Sequence, residues 1–363
     1  MFTEYYLRGR ESWLAWLGLC VLLFHSIYSA IVKKQLNVWS GDFYNLMQTV
    51  DIGSGPSEED QGLVVSRLWA FVGIVTPMAV VHPICRWIRN VWVLEWRLCL
   101  INRYLTLWTR DSITIEGVSQ RIQEDTSRFA GKFDTAIGTL LDAVLILLVF
   151  IPVLNELGSK TTPPNALACL GDKWLVVVAV CTATMHLGGA WCIGRPLVAL
   201  EITNQRVEAA FRRDLVLEET TGRSGQAPFT LLVNSLRGNY NSLYRNFYFL
   251  NFFLSSFDQM LVLIPYMLVA PLLFADEKDR VKLGVLIQVS NSFDRVFGAL
   301  TVVAENYAAL QDFRSTINRL LEFERSLTVS SHVQLVPPDI EMSTESTDQK
   351  GPVIAPKVKY NKA

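Results

Sequence analysis

Glu116 to Asp134 reads EGVSQRIQEDTSRFAGKFD and passes without a break into Thr135–Leu154, TAIGTLLDAVLILLVFIPVL. The first half is too polar to sit in lipid, and the second is a membrane-length apolar run. As a helix, the polar half sets Ile115, Val118, Ile122, Phe129 and Phe133 on one stripe, at spacings of three, four and seven. Arg121 with Asp125 and Glu124 with Arg128 then form i,i+4 pairs beside it. A second stretch, Glu201 to Glu219 (EITNQRVEAAFRRDLVLEE), repeats the pattern after another apolar run. Charged helices continuous with membrane helices are a feature of transport machinery.

Composition agrees with that class. Hydrophobic residues make up 50% of the chain and charged residues only 18%, against roughly 25% charged in soluble domains. The expected fold is all-α and polytopic. The basic residues are spread over several segments and pool in no single patch, so nucleic acid is not expected as a partner. The six cysteines show no CxxC or zinc spacing and read as small buried hydrophobes. The first apolar run is too long for a signal peptide and has no small-residue cleavage site, so it should remain as a transmembrane helix.

Six spans are expected: Trp13–Val32, Leu63–Ile88, Phe133–Leu154, Trp174–Leu200, Phe247–Phe274 and Leu283 to about Ala304. Lys33 and Lys34 close the first, and the aromatic segment Asn37–Thr49 after it suits a membrane boundary. Asp51–Gln61 and Asn155–Asp172 read as loops. Pro77 and Pro83 should kink the second span, and Gly188-Gly189 marks close packing in the fourth. Val91–Lys132 reads as one long helical segment, and Ala275–Val281 as a short charged turn. The sixth helix should continue through Leu327. The expected domains are residues 1–328, the membrane domain, and residues 329–363, a polar and disordered tail.

Lysine and arginine concentrate between spans two and three and between spans four and five, while the alternate loops carry few. That places both termini and both long charged segments in the cytoplasm. Six helices with long cytoplasmic extensions after spans two and four have the layout of an exporter-type ABC transmembrane domain. No G-x-x-x-x-G-K-[ST] phosphate loop occurs, so the expectation is the membrane half of such a machine without its ATPase.

Several segments carry a family resemblance. Ile115-Glu116-Gly117, Gln120-Arg121-Ile122-Gln123-Glu124-Asp125-Thr126 and Arg128-Phe129-Ala130 resemble the IEG–QRVQEDT–RFA signature of SbmA/BacA peptide transporters. Leu200-Glu201 followed by Asn204–Arg212 is similar to that family's second signature. Asn37, Trp39 and Phe43–Thr49 resemble its N-terminal motif, and Arg319-Leu320, Phe323-Glu324 and Leu327 its C-terminal one. The matches keep their order up to about residue 328. Asn45 stands where an acid is usual, and Asp134 where glutamate is expected. The resemblance implies a homodimeric importer with an ABC-exporter-like fold, driven by protons rather than ATP, for peptides or peptide-like molecules. It implies no cofactor or metal.

A proton-coupled carrier needs carboxylates that change protonation as the cavity switches sides. Matched to the family's acidic series are Glu124, Asp134, Glu201, Glu208, Asp214 and Glu219. Each has a plainer alternative. Glu124 could be a surface ion pair with Arg128, and Glu208 one with Arg212. Asp134 could be a helix-end charge, and Glu201 could be structural. Asp214 and Glu219 could belong to a solvated face. Asp142 and Asp258 lie inside expected spans and should face the bundle, a cavity or a partner. His25, His82 and His186 are scattered singly and read as satisfied buried histidines.

Three functions are open: proton-driven peptide import, the membrane subunit of a split ABC transporter, and a non-transporting receptor or scaffold. An enzyme is not expected, since no nucleophile–base pair, metal cluster or cofactor loop is visible. The protein should sit in the inner or plasma membrane.

Overall fold

Long runs with apolar stripes and few breakers become long helices. The computed structural model describes residues 5–6, 12–49, 58–108, 117–221, 229–277 and 280–333, with no strand among them. Helix α1 is Ser12–Thr49 and α2 is Glu58–Leu107. Helix α3 (Val118–Gln120), a π-helical turn (Arg121–Asp125) and α4 (Thr126–Ser159) run on as one rod. A 3-10 segment, Asn165–Lys173, leads into α5 (Trp174–Thr221). Then follow α6 (Phe229–Val269), α7 (Leu283–Glu305) and α8 (Tyr307–Val333). Ile115, Glu116 and the tail from residue 334 lie outside the described residues, as do residues 51–57 of an expected loop and residues 278–279 of the expected charged turn.

Several elements run further than the sequence predicts. Helix α1 passes through Lys33 and Lys34 to Thr49, 38 residues in all, or about 57 Å at the rise of an α-helix. The helix-compatible aromatic segment after span one is therefore helix, continuous with the span, and packs against α7. Residues 58–61, expected as loop, begin α2, and α4 extends to Ser159. Helix α2 stays continuous through Pro77 and Pro83. The long segment expected over residues 91–132 is interrupted, because α2 ends at Leu107. Helices α7 and α8 are separated at Asn306, and α8 reaches Val333.

The continuity of α1 has a polar cause. Asn37 Nδ2 donates to Ser292 Oγ at 2.8 Å, and Asn291 Nδ2 donates to Ser40 Oγ at 3.2 Å. Further along, Asn45 Oδ1 accepts from the Gly284 N–H and Gln48 Oε1 from the Leu283 N–H, both at 2.8 Å. The first N–H groups of α7 have no intrahelical partners, so α1 caps α7 from the side. The approach is close, since a Cβ on Gly284 would lie 1.9 Å from the Gly41 carbonyl oxygen.

Two hydrophobic centres form. One gathers Phe150, Leu154, Trp174, Leu175, Val289 and Phe293 from α4, α5 and α7. The other gathers Trp92, Trp96, Tyr104, Phe129, Leu320, Phe323 and Leu327 from α2, α4 and α8. Val118, Ile122 and Phe129 of the expected stripe are buried there, with Phe133 packed against them. Helix α4 spans both centres, as the opening stretch implies.

Five helices among the described residues are long and apolar enough to cross a membrane: Ser12–Thr49, Asp60–Leu107, Val118–Ser159, Asn165–Thr220 and Thr230–Phe274. The sixth expected span, α7, has 23 residues but is not among these five. Asn291, Asp294 and Arg295 interrupt its apolar run. It packs against α1, α4, α5 and α6, so neighbours rather than lipid cover most of it. The cysteines also depart from expectation. Only Cys85 is buried, while Cys20, Cys169, Cys181 and Cys192 are exposed, because the single chain leaves the outer helix faces uncovered.

Candidate functional site: a polar cavity between three helices

Where α1, α2 and α4 meet, a cavity of about 480 Å³ is lined by His25, His82, Arg86, Arg89, Asp134 and Asp142. Its residues come from long apolar helices, so their ionisable groups face inward rather than toward lipid. Arg89 Nε donates to Asp134 Oδ1 at 2.8 Å, with both side chains largely buried. Gly138 leaves room for that guanidinium, since a Cβ there would stand 3.1 Å from Arg89 Nη2. His25 Nε2 and His82 Nδ1 are 2.8 Å apart. Asp142 Oδ1 is buried without a hydrogen-bond partner. The reading of His25 and His82 as separate, satisfied histidines is thus corrected. They pair across 57 residues of sequence, and His25 Nδ1 is itself unpartnered.

The other candidates are dispersed. Glu124 pairs with Arg128 and accepts from Gln120 Nε2 at 3.1 Å, on the rim of a separate pocket. Glu208 accepts from Tyr240 Oη at 2.8 Å, so its partner is on α6 and is not Arg212. Asp214 is buried, with Arg213 Nε at 3.5 Å, where a solvated face was the plainer expectation. Glu201 and Glu219 are exposed on α5. Asp258 is 59% exposed and lies 3.9 Å from Nε2 of the buried His186. Of the eight carboxylates, the cavity brings together only Asp134 and Asp142.

The signature segments turn out to fasten helices to one another. Asp125, read in the sequence only as the i,i+4 partner of Arg121, is buried and accepts from Arg121 on its own turn and from Arg319 of α8. Asn239 of α6 donates to Asn204 of α5 at 2.9 Å. The acidic C-terminal-motif residue Glu324 meets Arg103 of α2. No signal along the chain names Arg319, Asn239 or Arg103 as partners, because each of these pairs joins different helices.

Long apolar helices around an ionisable cavity define a polytopic integral membrane protein. The chain belongs to the SbmA/BacA-like family, whose pattern matches residues 10–328. It is 26% identical over 345 residues to an uncharacterized ABC transporter ATP-binding protein of Synechocystis sp., covering 89% of this chain and 48% of that protein. It is 25% identical over 313 residues to ABC transporter D family member 2, chloroplastic, of Arabidopsis thaliana, covering 81% and 40%. It is also 22% identical over 341 residues to the inner membrane ABC transporter ATP-binding protein YddA of Escherichia coli, covering 85% and 57%. The chain spans about half the length of these curated relatives.

Proposed function

We propose that this chain imports peptides or peptide-like compounds by secondary active transport, driven by the proton gradient, as a homodimer with an ABC-exporter-like transmembrane fold. Its place would be the inner or plasma membrane, with both termini and both charged extensions in the cytoplasm. The observation that carries the reading is the cavity between α1, α2 and α4, where Asp134 and Asp142 sit among His25, His82, Arg86 and Arg89. Ionisable groups inside membrane helices are costly and mark ion or substrate pathways. The peptide class of substrate rests on the family. A second copy is supported by Asp258, which is 59% exposed on a span-length helix. A carboxylate in lipid is unfavourable, and a partner chain would shield it.

A split ABC transporter is the second reading, favoured by the printed names of the relatives. Uptake of a fluorescent peptide into proteoliposomes holding this chain alone tests both, with and without an imposed pH gradient and without ATP. Gradient-dependent uptake supports proton coupling. Uptake that appears only with an added ATPase chain and ATP, and survives collapse of the gradient, moves the assignment to the second reading.

A further inference from the structure

His25 and His82 face one another through single nitrogens, Nε2 and Nδ1, at 2.8 Å. One of these nitrogens must donate and the other accept, so one proton occupies the bridge. A neutral pair carries its second proton on an outer nitrogen, either His25 Nδ1 or His82 Nε2. A singly charged pair has both outer nitrogens protonated and keeps the bridge. A doubly charged pair would set two N–H groups against each other and lose it. The geometry therefore gives the pair room for one added proton, not two.

The titratable and charged groups acting on His25 are His82 and Arg89 on α2, Asp142 on α4 and Lys33 on α1, and Arg86 of α2 lines the same cavity. Arg89 is engaged by Asp134. On α7, Arg295 faces Lys33. Asp142 has a buried oxygen without a hydrogen-bond partner, as does His25 at Nδ1. Such orphaned buried atoms call for a function or a ligand. A proton answers both: it makes an outer imidazole nitrogen a donor and gives the Asp142 carboxylate a countercharge. His25 is buried and His82 is exposed, so the two outer nitrogens lie in different surroundings.

We propose that His25 and His82 together form a binding site for one transported proton, with Asp142 as its countercharge. The proposal rests on the proton-coupled reading above. The step balances without a co-reactant. A proton added at one outer nitrogen makes the pair cationic, the bridging proton shifts to the other ring, and that ring's outer N–H releases its proton. The pair returns to neutral with its tautomers exchanged, and one proton has passed from one side of the pair to the other.

Two measurements on the full chain in proteoliposomes test this. In the first, peptide uptake driven by a pH gradient is compared with thermal unfolding for wild type, His82→Gln and Asp142→Asn. Both variants should lose at least about tenfold in gradient-driven uptake and keep a thermal midpoint within about 3 °C of wild type. In the second, 15N-histidine labelling follows the four imidazoles of the chain with pH. His25 and His82 should titrate together as one proton is taken up, and His82→Gln should abolish the joint step. A retained thermal midpoint shows that the variants fold. Gradient-driven uptake that persists in His82→Gln, or independent titration of the two rings, overturns the site while leaving proton coupling intact. Absence of gradient-driven uptake in the wild type overturns the coupled reading itself, and this site with it.

Discussion

Asp125 Oδ1 accepts a hydrogen bond from Arg319 Nη2 at 3.0 Å, joining residues 194 apart in sequence. The contact ties the π-helical turn to α8 and lies beside the buried Leu320 and Phe323. Because Asp125 is 5% exposed, losing its cationic partners would leave a buried charge poorly satisfied. Arg319→Met should lower the free energy of unfolding by about 2 kcal/mol, the range of a hydrogen bond to a charged group. A thermal unfolding series in detergent measures it. A double-mutant cycle with Asp125→Asn should show coupling above about 0.5 kcal/mol, and simple additivity would refute the link.

The lateral cap on α7 gives a second expectation. Asn45→Ala and Gln48→Ala should each cost about 1 kcal/mol, as helix caps do. Asn45→Asp should be tolerated, because a carboxylate still accepts the Gly284 N–H and favours a helix N-terminus. Gly284→Ala should destabilise by about 1–3 kcal/mol, since the added methyl meets the Gly41 carbonyl. Gly298→Ala, on the same helix with open space around it, should be neutral or stabilising by up to about 1 kcal/mol. Equal effects at the two glycines would show that α1 and α7 do not pack this closely.

Glu208 and Tyr240 separate a structural from a charge-dependent role. Glu208→Gln keeps an acceptor oxygen for the Tyr240 hydroxyl, so stability should change by less than about 0.5 kcal/mol. Tyr240→Phe removes the donor and should cost about 1 kcal/mol. If Glu208→Gln abolishes uptake at unchanged stability, the ionised carboxylate takes part in transport. If it leaves uptake intact, Glu208 serves to hold α5 to α6.

Lys132 donates to Asp312 across 180 residues, and that bond holds the Asp312 carboxyl below its ordinary value. The unfolded chain therefore binds a proton at Asp312 more readily than the folded one. The contribution is present above about pH 4, the unfolded range, and fades as pH falls through the lower folded value. Lys132→Met should lower stability at neutrality and flatten its fall below about pH 4, so that the variant and wild-type profiles converge at the acid end. An unchanged acid limb would show that the pair contributes nothing.

Membrane class, helical content and the family were legible in the residues because each depends on local pattern. Apolar runs of sufficient length mark spans wherever they occur, and the stripe from Val118 to Phe133 marks one buried face whatever lies against it. The pairs Arg121–Asp125 and Glu124–Arg128 follow from helical spacing alone, and both form. What only the tertiary structure decided are contacts between segments far apart along the chain. His25 and His82 pair because α1 and α2 meet, Asp134 finds Arg89 where α4 packs on α2, and Asp125 finds Arg319 where α8 returns. Hydrogen bonds and ion pairs act over a few ångströms, and the sequence records order along the chain rather than distance through space. The polar cavity exists only once the helices have packed.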